Sequence, residues 1–207
     1  MHRPYAAGGM SAGAPKPNRI RAFVALDLPD RVRSGIDTWI AAELRDEALR
    51  PVTAEKLHLT LCFLGHIPPE DLQRAKRIVL GLEPRPVPIT LRAGPVAKPR
   101  GRPRIFALEA DSDAAVALQA ELVEALVDAG VYEPEKRPFW PHLTVARVRT
   151  ERGKRRRPRT VRTRPGELPA ALVHTFDSVR IALYRSHLRP GGAQYEPLAN
   201  LDLPPAG

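Results

Sequence analysis

Leu57-His58-Leu59-Thr60-Leu61-Cys62-Phe63-Leu64-Gly65 alternates along its length, and a second such stretch, His142-Leu143-Thr144-Val145-Ala146, begins 84 residues after His58. A strand's period of two puts Leu57, Leu59, Leu61 and Phe63 on one face and His58, Thr60 and Cys62 on the other. One histidine in an apolar strand is ordinarily a satisfied core histidine. Two copies of the same His-Leu-Thr pattern read differently. Each offers an imidazole and a hydroxyl at i and i+2, about 7 Å apart along a strand. If a pseudo-twofold axis relates the two halves, the faces meet across a cleft with two imidazoles, two hydroxyls and no carboxylate from either strand. Histidine titrates near neutral pH, so one ring can accept a proton while the other donates one. Threonine hydroxyls can donate hydrogen bonds to non-bridging phosphate oxygens. The set suits acid–base cleavage of a phosphodiester without a metal.

Around these strands the chain alternates strand and helix. Arg19 to Asp27 reads as a strand. Pro29 and Asp30 open a helix to about Glu47, with Val32, Ile36, Ile40 and Leu44 at helical spacing. Lys56 to Leu64 is the first motif strand, ended by Gly65, and Pro68-Pro69 start a helix to about Leu82 with Leu72, Ala75, Ile78 and Val79 inward. Strands at Val87–Ala93 and Arg104–Ala110 flank a Gly/Pro/Arg-rich loop. Asp111 or Ser112 caps a third helix, with Val116, Leu118, Leu122, Leu126 and Val127 inward, stopping near Gly130. His142 to Val148 is the second motif strand. A strand from about Val173 to Tyr184, a turn at Gly191-Gly192 and a strand to Leu198 complete the chain. The order predicts an α+β fold with a rough internal repeat: two antiparallel sheets side by side, each backed by helices.

Composition narrows the partners. With 43% hydrophobic and 27% charged residues the chain carries an adequate core, and no run approaches membrane-spanning length. A single cysteine, Cys62, excludes an internal disulfide and a Cys-cluster metal site, and reads as a small buried thiol. Met1 to Asn18 has no apolar block of signal length and reads as a disordered lead-in, which predicts a cytoplasmic protein. The net charge of +10 is concentrated: between Arg147 and Glu167 ten basic side chains face two acidic ones. That favours a docking surface for a polyanion, although 27 of the 33 basic residues are arginine, a bias that coding composition also produces.

The motif Lys56-Leu57-His58-Leu59-Thr60-Leu61-Cys62-Phe63-Leu64-Gly65 and the stretch Arg137-Pro138-Phe139-Trp140-Pro141-His142-Leu143-Thr144-Val145-Ala146-Arg147 resemble those of the 2H phosphoesterase superfamily. Within it they resemble the bacterial RNA 2′,3′-cyclic phosphodiesterases, historically called 2′-5′ RNA ligases. The opening Arg21 to Pro29 and the closing Leu183-Tyr184-Arg185-Ser186 and Tyr195-Glu196-Pro197-Leu198 are similar to that branch too, so the likeness runs from about Ile20 to Leu198. The resemblance implies a bilobal α+β fold, two antiparallel sheets related by a pseudo-twofold with helices outside and a central cleft. It implies no metal and no cofactor. It also implies hydrolysis of RNA 2′,3′-cyclic phosphate ends to 2′-phosphomonoesters. His58 would then be the proton donor and His142 the proton acceptor, with Thr60 and Thr144 binding phosphate. That direction comes from the resemblance alone, since the two motifs are nearly symmetric.

Arg147, Phe139 and Trp140 are further candidates for substrate contact. Arg147 matches a basic position of the family, but at i+5 from His142 a regular strand turns it to the opposite face unless the strand bulges or ends. Phe139 and Trp140 could stack on a base or plug the turn beneath the histidine; Tyr184 and Tyr195 carry the same ambiguity, with packing favoured. His66, His174 and His187 read as surface or structural histidines. The expected organisation is a tail over 1–18, one bilobal catalytic domain over 19–200 and a C-terminal tail over 201–207, in a monomer. The segment 149–169 departs from the family: it is longer and more basic than the expected loop, either a clamp for an RNA backbone or a disordered insertion. Competing readings are 2′-5′ RNA ligation by the reverse reaction, a small-molecule cyclic phosphodiesterase, and a non-catalytic RNA-binding module using the Arg-rich loop.

Overall fold

The computed structural model describes residues 19–151, 157–189 and 192–206. The expected tail over 1–18, Gly191 of the expected turn, and Arg152, Lys154, Arg155 and Arg156 of the basic run lie outside them. The first strand, β1 (Ile20–Asp27), leads to helix α1 (Asp30–Glu43), whose Val32, Ile36, Trp39 and Ile40 are buried. The helix stops before the Glu47 expected from periodicity. Asp46 accounts for the stop: its carboxylate accepts the Ala48 N–H at 2.8 Å, a local turn that competes with helical bonding. A short strand β2 (Leu49–Pro51) and a 3₁₀ turn at Ala54–Lys56 precede β3 (His58–Ile67). Gly65 does not end that strand. It sits within it at φ +71° beside a register shift, a bulge position at which glycine bears no Cβ penalty.

Helix α2 (Pro69–Gly81) buries Leu72, Ala75 and Val79 behind a proline first position. Then come β4 (Pro88–Leu91), a short β5 (Val96–Lys98) inside the Gly/Pro/Arg-rich loop, and β6 (Ile105–Asp111). Helix α3 (Asp113–Asp128) is capped by Ser112, whose Oγ accepts the Ala115 N–H at 3.0 Å. Its inward stripe is Ala115, Leu118, Leu122 and Leu126. Val116 and Val127, expected inside, lie one position off that stripe and are 45% and 37% exposed. Gly130 at φ +66° ends the helix while the Val131 N–H reaches back to the Leu126 carbonyl at 2.9 Å.

Next come β7 (His142–Val148), β8 (Phe176–Asp177), β9 (Arg180–Arg189) and β10 (Gly192–Asp202). The single strand expected over Val173–Tyr184 is broken at Ser178-Val179, where the chain changes partner from β4 to β1. Buried Ser178 anchors the crossing, its N–H on the Val87 carbonyl and its Oγ on the Asp27 carbonyl. The last strand runs beyond Leu198 to Asp202, and Leu203 is buried, so the fold includes residues assigned to a C-terminal tail.

All strand pairs are antiparallel and form one path, β10-β9-β1-β3-β7-β6-β4-β8, with β2 on β7 and β5 on β6. The two expected sheets therefore join, and among the described residues they join at one pair only, Leu59↔Leu143, the central leucines of the two motifs. The halves interleave in sequence, because the C-terminal hairpin returns to β1. Helix α2 packs on β1, β9 and β10, and α3 on β3 and β4. Among the described residues no helix is long and apolar enough to cross a membrane.

Candidate active site

Leu59 and Leu143 lie at the centre of the core with no exposed surface, and this pins the flanking His58, Thr60, His142 and Thr144 to the opposite, cleft-facing side. The structure brings all four together in one cavity of about 400 Å³. Arg21, Arg50, Lys56, Arg147 and Arg189 line the same cavity, and no carboxylate does among the described residues. Such a cleft is built for an anion.

Both motif strands carry the same irregularity. On β3, Thr60 lies opposite Ala25 and Cys62 opposite Val24, leaving Leu61 without a partner. On β7, Thr144 lies opposite Ala107 and Ala146 opposite Phe106, leaving Val145 without one. Each extra residue stands three positions after its histidine, and each resets the alternation. Leu61 and Cys62 are buried together, as are Val145 and Ala146, and the next residue turns back toward the cleft. Arg147 thereby joins the histidine face. Phe63, expected in the core, is instead 39% exposed and lines an adjoining cavity that Thr60 and His142 share. Over its ring stands Arg21, guanidinium carbon 4.6 Å from the centroid and Nη1 donating to Ser186 Oγ at 2.5 Å.

The two rings are held alike. His58 Nδ1 lies 2.8 Å from the Lys56 carbonyl and His142 Nδ1 2.7 Å from the Trp140 carbonyl. A carbonyl only accepts, so each Nδ1 carries a proton and Nε2 remains for chemistry. Their surroundings differ. His58 stacks on Phe23 (4.9 Å, 29°), which stacks on Tyr184 (5.3 Å), and Tyr195 stands edge-on to His58 at 5.3 Å. Burial in this aromatic box drives the His58 pKa down to about 4; the charges of Arg147 and His142 lower it further, against the Lys56 carbonyl. His142 lies flat on Trp140 (3.9 Å, 17°). Its pKa is also lowered, by burial first and by Arg147, while the Trp140 carbonyl and the Glu109 charge resist.

Each histidine faces a carboxylate across the ladder, Asp27 opposite His58 and Glu109 opposite His142. Asp27 is occupied elsewhere, taking the Tyr184 hydroxyl at 2.8 Å and pairing with Arg180 Nε at 2.8 Å; burial still raises its pKa. Glu109 Oε1 accepts the Trp140 indole N–H at 2.9 Å and so supports the ring beneath His142. Trp140 thus packs on the histidine, and Phe139 packs against the core. Both also line a neighbouring cavity of about 1000 Å³ that shares Thr60 and His142. His66, His174 and His187 do not line the cavity that holds the two motifs, and His187 pairs with Glu196 at 2.8 Å. Among the described residues no group of three or more His, Cys, Asp or Glu side chains is placed to hold a metal ion.

Arg21 and Glu109 escaped the sequence reading, and Tyr195, for which the sequence favours packing, lines the cleft. Arg21 and Glu109 reach the site through strand pairing with the motif strands, and Tyr195 through the return of β10. Arg21 does share the alternate face of β1 with Phe23 and Asp27, but only the β1–β3 register shows which way that face looks.

A family model described as the 2′-5′ RNA ligase superfamily matches residues 28–187. The chain is 30% identical over 179 residues to an RNA 2′,3′-cyclic phosphodiesterase of Escherichia coli, covering 86% of this chain and 93% of that protein. It is 31% identical over 197 residues to one from Thermus thermophilus, covering 89% and 90%. Among solved structures, a Thermus thermophilus protein superposes with a TM-score of 0.74 at 26% identity, covering 89% of this chain and 98% of that one. Escherichia coli LigT complexed with 3′-AMP superposes with a TM-score of 0.68 at 27% identity, again covering 89% and 98%.

Proposed function

The chain belongs to the 2′-5′ RNA ligase superfamily, and from that premise we propose that it is an RNA 2′,3′-cyclic phosphodiesterase that opens the cyclic phosphate to a 2′-phosphomonoester without a metal. The observation that carries the reading is the pair of cleft-facing imidazoles, each with Nδ1 tied to a carbonyl and a threonine two residues on, in a cavity lined by cations. The relatives' activity supports the substrate class.

In this mechanism one Nε2 takes a proton from water as its oxygen attacks phosphorus. The bond from phosphorus to O3′ breaks, and the other Nε2–H protonates O3′. Thr60, Thr144 and Arg147 hold the non-bridging oxygens as charge gathers on them. His58 serves as donor and His142 as acceptor, following the resemblance. The surroundings of the two rings lean the other way, since His58 is the ring more strongly held neutral. A donor role therefore requires the bound anion to lift the His58 pKa above that of His142. Ring titration with a nucleoside 2′-monophosphate product bound measures this directly, and a His58 ring that stays the more acidic of the two reverses the roles.

The activity itself is tested with a 2′,3′-cyclic-phosphate oligonucleotide in EDTA. The expected product carries a 2′-phosphate. Loss of turnover in EDTA, or a 3′-phosphate product, would refute the reading. His58→Ala and His142→Ala should each cost about 10²–10⁴-fold.

A further inference from the structure

Resting on that reading, we infer that a second, basic groove beside the catalytic cleft holds the RNA strand upstream of its cyclic end, making the enzyme selective for oligonucleotides over nucleoside cyclic phosphates. The groove has a volume of about 880 Å³ and lies between the turn after β5 and the basic segment beyond β7. One wall carries Lys98, Arg100 and Arg102, and the other Arg157, Arg159 and Arg164. All six are exposed, and none pairs with a carboxylate among the described residues. Among the described residues only Glu109 and Glu151 oppose them in the lining.

The second wall is built into the fold. The Glu151 N–H donates to the Arg157 carbonyl and the Arg159 N–H to the Arg149 carbonyl, both at 2.8 Å, and Thr150 bridges Pro158. Farther on, Asp46 accepts the Arg162 and Thr163 N–H groups at 2.6 and 2.9 Å, and Glu43 accepts that of Gly166 at 2.8 Å. The Trp39 indole donates to the Glu167 carbonyl at 3.0 Å. Residues 157–168 are thus pinned to α1 and to the loop that follows it, which sets their arginines in a fixed row. The opposite wall is fixed by pairing of β5 with β6.

The groove also communicates with the chemistry. Lys98 lines both it and the cavity that contains Thr60 and His142, and its ammonium stands 5.1 Å above the Trp140 ring that supports His142. A strand whose terminal cyclic phosphate meets the histidines can pass Lys98 and lay its upstream phosphates along the arginines. Two basic walls with few acids among the described residues match a single phosphodiester backbone.

The test compares a nucleoside 2′,3′-cyclic monophosphate with a cyclic-phosphate hexanucleotide, on the wild type, on Arg157→Gln/Arg159→Gln/Arg164→Gln and, separately, on Arg100→Gln/Arg102→Gln. The wild type should favour the hexanucleotide in kcat/KM. Each variant should lose about tenfold or more on the hexanucleotide only, and the triple variant's salt slope should flatten by about 2, at roughly 0.7 per phosphate contact on a single strand. Equal wild-type efficiency on both substrates, or variants that fall equally on both or on neither, overturns the groove assignment. An effect seen with a different polyanion but not with the hexanucleotide overturns it as well. Failure of the wild type to open either substrate refutes the proposed activity instead, so the two failures are distinguishable.

Discussion

Arg147 stands five residues beyond His142 yet shares its face, because Val145 between them is the unpaired residue of a bulge against β6. In a regular ladder an odd separation places two side chains on opposite sides. One extra residue reverses this, and the same residue count on β3 brings Phe63 out beneath Arg21. The two lobes thus use one backbone irregularity to deliver cations by different routes: directly at Arg147, and at Arg21 through the ring that sits in the equivalent position.

Arg147→Ala should lower kcat/KM for a cyclic-phosphate substrate by about 10²-fold, the scale of losing one preorganised donor to a developing oxyanion. Arg147→Lys should recover only part, since an ammonium keeps the charge but not the planar fork. Steady-state kinetics on the two variants measure this. Alanine and lysine variants that both match the wild type would remove Arg147 from the phosphate site.

Both histidines titrate below the ordinary value of about 6.5 in the free protein, His58 at about 4. On the proposed mechanism the active form holds one proton between the two rings. The profile of kcat/KM, which reports free enzyme, should therefore be a bell with its lower limb near pH 4 and its upper limb below pH 6.5. A bound anion favours the protonated rings, so the kcat bell should lie at higher pH. Coincident profiles would show that substrate charge does not reach the rings.

The motif strands were legible in the sequence because a period of two with leucines inward leaves few alternatives, and Leu59 and Leu143 are buried as that pattern requires. Much else of the fold followed from caps and punctuation, such as Pro69 and Ser112 at helix starts. What failed was non-local. The break at Ser178 is dictated by Asp27 and Val87, far away in sequence. The bulges at Leu61 and Val145 leave no local mark, since both residues suit a regular strand. The anchoring of residues 157–168 depends on Asp46, Glu43 and Trp39, so a run of arginines gave no sign of it.

Stability should fall in mild acid for a reason located at His58. Its pKa is about 4 folded and about 6.5 unfolded, so between these values the unfolded chain binds a proton that the folded chain does not. The stabilisation is complete above about pH 6.5 and is lost progressively as the pH drops toward 4. Linkage gives roughly 2 kcal/mol between pH 7.5 and pH 5. His58→Gln, which cannot titrate, should lose that much less over the same interval in urea unfolding. Equal losses in both proteins would place the acid sensitivity elsewhere.

Glu109 lies across the ladder from His142 and holds the indole on which that ring rests, so it can act through charge, through position, or both. Glu109→Gln separates the two, because the amide oxygen can still accept the Trp140 N–H while the negative charge is gone. Without that charge the protonated His142 ring loses a stabilising neighbour, and its pKa should fall further. The upper limb of the kcat/KM profile should then move to lower pH while the lower limb, set by His58, stays in place. This holds whichever ring is the donor, since the limbs report the pair and its higher pKa lies nearer His142. Glu109→Ala should add a loss of rate at every pH by freeing Trp140. An unmoved upper limb in Glu109→Gln would leave Glu109 with the positioning role alone.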